Sequence, residues 1–322
     1  MITRAIKSII LSILLPFSLF ADGLITNIVV SVPNGEFTLT AENDLFFKSD
    51  KYYTHGTKLG YLLYDAPAWT DKLIDGDKRW GITLGQYIYS PIDIEVGQMP
   101  TNDRPYGGWL YIGNSLFVRN DNKMDFFELD IGVTGPDSLV EPTQELIHQW
   151  TGSQAPVGWG NQIKETIGVD LAYQRKYKFG NSNFDFIPSG GACLGNIFTY
   201  VNIGVIGRVG WNLPDDFGFY RSEPNTRLSR GGHPTIDWSK VSIFGFISGE
   251  ERWVLQNMFL DGDTYERHYV VDPRPFVTDL MGGIGIYLGR LSIIIADNVR
   301  TDEFYGQSAM DRFSTVSISW RF

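Results

Sequence analysis

Arg312-Phe313-Ser314-Thr315-Val316-Ser317-Ile318-Ser319-Trp320-Arg321-Phe322 closes the chain with a period of two. Val316, Ile318, Trp320 and Phe322 fall on one side, and Thr315, Ser317, Ser319 and Arg321 on the other. Successive side chains of a strand point to opposite faces, so this segment has one apolar and one polar face. The pattern recurs upstream: Ile167, Val169, Leu171 and Tyr173 alternate with Gly168, Asp170, Ala172 and Gln174, and Phe127, Leu129, Ile131 and Val133 with Glu128, Asp130 and Gly132. Such strands suit a one-sided antiparallel sheet, or a closed barrel with lipid outside and a polar lumen inside.

Composition narrows the choice. The 322 residues carry 27 Lys and Arg against 37 Asp and Glu, a formal charge of -10, which excludes nucleic acid as a partner. Hydrophobic residues are 43% but charged residues 20%, so no set of long apolar blocks exists and a helical membrane bundle is excluded. With 9 Trp, 16 Tyr and 21 Phe the chain has ample surface to bury, which argues against disorder. The single Cys193 excludes an intrachain disulfide or a Cys-based zinc site. The strongest apolar run comes first: Met1, Arg4 and Lys7 precede Ile9 to Phe20 and Ala21, so residues 1–21 read as a secretory signal and 22–322 as one mature domain.

For an exported chain of alternating strands, the final Phe322 decides. A terminal strand of this kind resembles the insertion signal of bacterial outer-membrane barrels, and a soluble sandwich has no physical reason to finish on an exposed Phe. In hydrocarbon every backbone N–H and C=O must be paired, so the sheet must close. The expected fold is therefore all-β: an antiparallel transmembrane β-barrel in the outer membrane of a Gram-negative bacterium. Candidate strands lie at 36–46, 56–65, 80–90, 108–118, 124–134, 166–178, 182–190, 194–209, 241–250, 252–260, 278–288, 291–299 and 313–322. That set is odd, and barrels of this class have an even number, so about twelve strands are expected. Gly289-Arg290 reads as a tight periplasmic turn. Asn212 to Lys240 reads as a long surface loop. Gly135 to Asn161 holds the one credible helix of the mature chain, in an extracellular loop, with Ser138 to Glu141 as a capping box and Gly152 as its stop.

Two groups of residues can carry chemistry. Gln144 and His148 are four apart and share a helix face. A neutral His, with an ordinary pKa of about 6.5, can act as a general base on water, and an adjacent amide can orient the water or the substrate. The bland alternative is a surface-loop histidine. The first strand runs into Glu42-Asn43-Asp44-Leu45-Phe46 and a Ser49 to Gly56 segment. Asn43, Asp44, Asp50 and Thr54 are hard oxygen donors of the kind calcium takes, and equally the residues that turns use.

Taken in order, Glu42 to Phe46, Tyr53-Thr54-His55-Gly56, Gly85 to Pro91, Asp103-Arg104-Pro105-Tyr106-Gly107-Gly108-Trp109, Gly132 to Pro136, Gln144 with His148, and Gly158 to Gln162 resemble the outer-membrane lipid A 3′-O-deacylase family. The match runs to about Glu165. The resemblance implies a twelve-stranded barrel whose site lies on the outside, between the wall and a loop helix. It implies a calcium-dependent carboxylic ester hydrolase that removes a 3′-acyloxyacyl group from lipid A of lipopolysaccharide. Strict alternation in Phe37-Leu39-Ala41-Asn43 agrees with it, because it puts Asn43 on the lipid-facing side, where a polar group needs a cover.

By the same resemblance, His148 is the base, with Asn43, Thr54 and Gln144 as catalytic partners that position water, metal or substrate. Asp44 is a ligand of Ca2+, which would polarise the ester carbonyl. The second metal position, a carboxylate in the family, falls at Gln154, a neutral amide and a poorer ligand. Arg104, Arg221, Arg227 and Arg230 are weaker candidates for substrate contact: Arg104 reads equally as half of a structural charge pair, and the three loop arginines as solvated charges or as partners of lipid phosphates. His55, His233 and His268 are too scattered for a metal site. Glu128, Asp130 and Asp170 line a pore or fill the lumen with paired charge. A monomer is expected. The competing reading is a catalytically inactive barrel that serves as channel, adhesin or structural porin. A phospholipase is disfavoured because no Gly-x-Ser-x-Gly elbow occurs.

Overall fold

The alternating segments pair with their neighbours into one antiparallel sheet: β1 (Gly35–Asn43), β2 (Tyr52–Leu63), β3 (Asp77–Ser90), β4 (Gly107–Asn120), β5 (Lys123–Thr134), β6 (Ile167–Tyr177), β7 (Phe179–Gly180), β8 (Phe184–Gly195), β9 (Phe198–Trp211), β10 (Val241–Asn257), β11 (Phe276–Leu288), β12 (Leu291–Arg300) and β13 (Asp311–Arg321). β1 pairs with both β2 and β13, and β6 with both β5 and β8, which closes the wall. The two-residue β7 only extends the β8 ladder, so twelve strands make the barrel. This computed structural model describes residues 35–44, 51–97, 102–218, 241–262 and 271–322. The expected signal segment 1–21 and Arg221, Arg227 and Arg230 lie outside them.

The expected surplus strand is explained by charge. The candidates 241–250 and 252–260 join into one continuous strand, β10, up to Asn257, with 258–260 in a short helix capped by Asn257, and Glu250, Glu251 and Arg252 are strand residues rather than a turn. Glu250 and Arg252 face the lumen, where Glu250 accepts from Asn202 at 2.9 Å and Arg252 pairs with Asp279. Glu251 faces outward and accepts the Thr278 hydroxyl at 2.5 Å. A charged triplet that looks like a break is therefore satisfied on both faces of one strand.

The lumen face is polar and paired. Across β1 and β13, Thr38 and Thr40 meet Ser319 and Ser317 at 2.8 and 2.9 Å, Thr315 donates to Glu42 at 2.9 Å, and Arg321 to Glu36 at 2.7 Å. Arg208 holds Asp185 at 2.6 Å, Arg300 holds Asp279 at 2.9 Å, and Lys58 sits 3.5 Å from Glu128. Asp130 and Asp170 are buried, and Asp170 accepts the backbone N–H groups of Ile197 and Phe198. Toward one end, Tyr53, Tyr87, Tyr89, Trp109, Tyr111, Phe259 and Phe313 pack as a cluster inside the barrel. The interior is thus a packed, charge-matched filling, the usual state of a small barrel. The outer face is the reverse: Ile247, Ile284, Leu171 and Leu129 are exposed, flanked by Trp211, Trp320 and Phe184 toward one end and Trp253 and Phe276 toward the other. Exposed apolar walls between aromatic girdles belong in a bilayer. Among the described residues no helix is long and apolar enough to cross one, so the strands make the crossing.

Tight connections, Asp121-Asn122 and Gly289-Arg290, mark the periplasmic end. The helix Val140–Thr151 leaves the opposite, extracellular end. Two loop readings change. Asn212 to Gly218, expected on the surface, turns into the lumen, because Asp216 accepts from Arg208 at 2.5 Å and from the Tyr287 hydroxyl at 3.1 Å while Phe217 is fully buried. The strand ends that flank 212–240, Trp211 and Val241, also stand at the periplasmic end, across the barrel from the helix.

Candidate functional site on the outer wall

Asn43 ends β1 with Ala41 and Leu39 on its own face, and across the ladders it meets His55 on β2 and Ser314 on β13. All three are outward-facing yet nearly buried. Asn43 donates Nδ2 to the Thr54 carbonyl at 3.2 Å and to His55 Nδ1 at 3.4 Å. His55 Nδ1 then accepts, so its proton is on Nε2, which lies 2.8 Å from Thr57 Oγ1. The ring is a neutral prop that fixes the amide of Asn43.

Thr54 reaches the same face through a bulge. The β2–β3 register slips between Tyr53 and His55, with Tyr53 opposite Tyr89 and His55 opposite Ile88. Tyr53 points into the lumen and donates to Glu42 at 2.8 Å, while Thr54 joins His55 outside and donates to Ser90 Oγ at 2.9 Å. Re-aiming one side chain is a characteristic use of a bulge. Asp44 follows Asn43, is 1% exposed, and accepts the Lys51 backbone N–H at 3.0 Å.

The helix supplies the lid. Pro142 sits in its first turn, where a missing N–H costs nothing, and Gly152 stops it in a left-handed conformation (φ 69), returning its N–H to the His148 carbonyl at 2.8 Å. The expected capping box does not form: Leu139 is the N-cap, and Ser138 bonds the Gly135 carbonyl instead. Val140, Gln144, Ile147, His148 and Thr151 make the buried stripe, whereas Trp150 faces out. The start of the helix is seated on glycine, since a Cβ on Gly108 would lie 2.3 Å from Val140 Cγ2. Ile88, Ile94, Tyr106, Val140 and Trp159 pack between wall and helix.

These elements line a small cleft between Asn43, Asp44, Thr54, His55, Gln144, Ile147, His148 and Ser153. His148 is 5% exposed, and its Nδ1 is hydrogen-bonded to the backbone carbonyl of Gln154. A carbonyl only accepts, so Nδ1 carries the proton and Nε2 the lone pair. Gln144 is held at both ends: Trp159 Nε1 donates to its Oε1 at 3.0 Å, and its Nε2 donates to Ser90 Oγ at 3.3 Å.

Five residues singled out in the sequence, Asn43, Asp44, Thr54, Gln144 and His148, thus meet in one cleft. Gln154 attends through its main chain, with its side chain exposed. Arg104 does not join them. It is fully buried, 3.0 Å from Glu303 and stacked on Tyr89, so it is a structural cation rather than a substrate contact. Its neighbour Asp103 is pushed up by burial, against hydrogen bonds from the N–H groups of Ile92 and Arg104. His55, Ser90, Ile147, Ser153 and Trp159, none of them expected at the site, also line or brace the cleft. His55 was legible, since it and Asn43 sit at mirrored positions about the connecting loop; Ser90 and Trp159 needed the tertiary fold.

Fold and cleft together define a class: an integral barrel of the Gram-negative outer membrane with a covered polar cleft on its lipid-facing wall. The family model described as "Outer membrane protein LpxR" matches residues 8–322, and the chain belongs to that family, the outer-membrane lipid A 3′-O-deacylases. Among solved structures, LpxR from Salmonella typhimurium is 22% identical, with a TM-score of 0.73, covering 89% of this chain and 100% of that one. The β-domain of the Bordetella autotransporter BrkA is 10% identical with a TM-score of 0.40, covering 90% of this chain and 97% of that one. The translocator domain of NalP from Neisseria meningitidis is 8% identical with a TM-score of 0.40, covering 90% and 87% respectively. No curated protein matches the chain.

Proposed function

We propose that this chain is a carboxylic ester hydrolase of the outer membrane that removes an acyloxyacyl group from lipid A, with water as nucleophile. The observation that carries this reading is the tautomer of His148: Nδ1 bonded to the Gln154 carbonyl and Nε2 basic, inside a cleft on the lipid-facing wall. His148 Nε2 takes a proton from water as the water oxygen bonds to the ester carbonyl carbon. The tetrahedral adduct then collapses, the bond to the sugar oxygen breaks, and the imidazolium returns its proton to that oxygen. The Gln154 carbonyl steadies the imidazolium through Nδ1–H. Thr54 has given its hydroxyl hydrogen to Ser90, so its oxygen serves the cleft as an acceptor and orients the attacking water. The acyl chain reaches the cleft sideways from the bilayer.

Calcium is the cofactor this reading implies. Asp44, the amide oxygen of Asn43 and the Thr54 hydroxyl are hard oxygen donors, which suit it chemically. Among the described residues no group of three His, Cys, Asp or Glu is gathered to hold a metal, so most of its roughly six to eight oxygens would come from water and substrate. When bound, it would supply Lewis-acid polarisation of the ester carbonyl.

The alternative of an inert channel is weakened by the ion-paired, aromatic filling of the lumen. Expression in a Gram-negative host and mass spectrometry of its lipid A test the proposal. The expected result is loss of one acyloxyacyl unit with the wild-type chain and no loss with His148→Ala. Unchanged lipid A beside a correctly inserted wild-type barrel would overturn it.

A further inference from the structure

A charged group on the lipid-facing wall of a barrel is costly, and its position is informative. Along β12 and β13 the outward residues are Leu291, Ile293 and Ile295, and Trp320, Ile318 and Val316, until the two strands reach Asp297 and Ser314. These two are direct cross-strand partners, and Ser314 is on its other side the partner of Asn43. Asn43, Ser314 and Asp297 therefore form one polar row across three adjacent strands, roughly 10 Å long at about 4.8 Å per strand. Ser314 lies six residues above Trp320 on β13, roughly 15 Å up the wall for a tilted strand, and the next outward pair is Val299 and the exposed Arg312, so the row stands toward the extracellular edge of the apolar wall.

The row is built, and it is open at its far end. Ser314 is nearly buried and donates its hydroxyl to Asp297 Oδ1 at 2.6 Å. Asp297 itself is exposed. Its partner on β11 is Gly282, where nothing lies closer than 3.9 Å to the place of a Cβ, so no side chain covers the carboxylate from that side. With Oδ1 bonded to Ser314, the exposed carboxylate offers Oδ2 to a further donor.

We propose that Asp297 and Ser314 are a headgroup subsite that continues the cleft from Asn43 and holds the hydroxyl and amide N–H groups of a saccharide whose ester-linked chain occupies the cleft. The inference rests on the proposed hydrolysis of lipid A and names the part of the wall that reads the sugar. The chemistry selects the ligand class. A fixed carboxylate accepts charge-assisted hydrogen bonds from hydroxyl and amide donors, and it repels phosphate.

The test uses the full chain in detergent micelles with purified lipid A. Asp297→Leu continues the Ile293 and Ile295 face and leaves the barrel foldable, which its heat-modifiable gel mobility reports. The expected result is a Kd for lipid A and a KM each raised about tenfold, with kcat within about twofold. Asp297→Asn, which keeps an acceptor oxygen, is expected to fall between Leu and wild type. An unchanged Kd for Asp297→Leu overturns the subsite. A wild-type chain that binds lipid A through Asp297 and leaves it intact overturns hydrolysis and spares the subsite, so the two failures are distinct.

Discussion

Trp159 donates its indole N–H to Gln144 Oε1 at 3.0 Å, and that single bond sets the polarity of the wall side of the cleft. Indole nitrogen only donates, so the Gln144 amide must turn its Nε2 toward Ser90, whose oxygen also accepts from Thr54. Trp159→Phe keeps an aromatic ring beside Tyr106, now 4.7 Å between centroids, and removes only the donor. Removing that donor from a buried amide costs about 1–3 kcal/mol and loosens the hold on its orientation. Deacylation is expected to fall about tenfold in kcat with an intact barrel. Wild-type kcat would show that Thr54 does not depend on this chain of bonds.

Gly108 and Val140 make the seat of the lid. Any side chain at 108 would drive into Val140 and Ser138, which lie 2.3 and 2.5 Å from the place of its Cβ. Gly108→Val is expected to lift the helix, separate His148 from Asn43 and lower activity at least about a hundredfold, since small misplacements at a reacting centre are costly. The strand register of β3 and β4 does not involve that side chain, so the barrel still forms. Limited proteolysis of the 135–166 loop, faster in the variant, is the accompanying measurement.

How much of this was legible in the sequence follows from which forces are local. Alternation is local: in β6 and β13 it points to the barrel, and in β1 to the outward face of Asn43. The helix was legible from its stop at Gly152, although the capping box read at Ser138 to Glu141 does not form. The continuity of 241–257 was not, because Glu250 and Arg252 are tolerated in a strand only by partners on β9 and β11. Neither was the bulge at Thr54. Strict alternation puts Thr54 and His55 on opposite faces, and only the register with β3 brings both outside. Arg104 looked available for substrate because its partner, Glu303, is far along the chain.

His55 and His148 are expected to separate by degree. His148→Ala removes the base and should leave no measurable deacylation. His55→Leu removes only the prop of Asn43, and a drop of about tenfold is expected, the loss of one neutral hydrogen bond in a covered site. His55→Gln, which keeps an acceptor for Asn43, should recover part of it. Equal losses for His55→Leu and His148→Ala would mean that His55 touches the reacting atoms.

Asp44 is the one carboxylate among the described cleft residues, so the proposed calcium is expected to depend on it. Chelation should abolish deacylation and added calcium should restore it, while Asp44→Asn raises the calcium concentration needed for half-maximal rate by about tenfold or more. Full activity after exhaustive chelation would leave His148 and its water as the whole of the machinery.

The periplasmic plug carries its own pH signature. Asp215 is pushed up by burial, but hydrogen bonds from Arg119 at 2.7 Å and Lys178 at 3.2 Å outweigh this and hold its carboxyl below the ordinary value. A carboxyl depressed in the folded state contributes stability that is present above its unfolded pKa of about 3.9 and lost as pH falls through the folded value. Acidification below about pH 4 should therefore loosen Asn212 to Gly218 from Arg119 and Lys178 while the ladders of the wall persist. Amide hydrogen exchange in that segment should rise with acid beyond its intrinsic rate in the wild type. In Asp215→Asn the segment should start looser and show no such step, and an identical acid response in both chains would assign the plug to Asp216 and Arg208 alone.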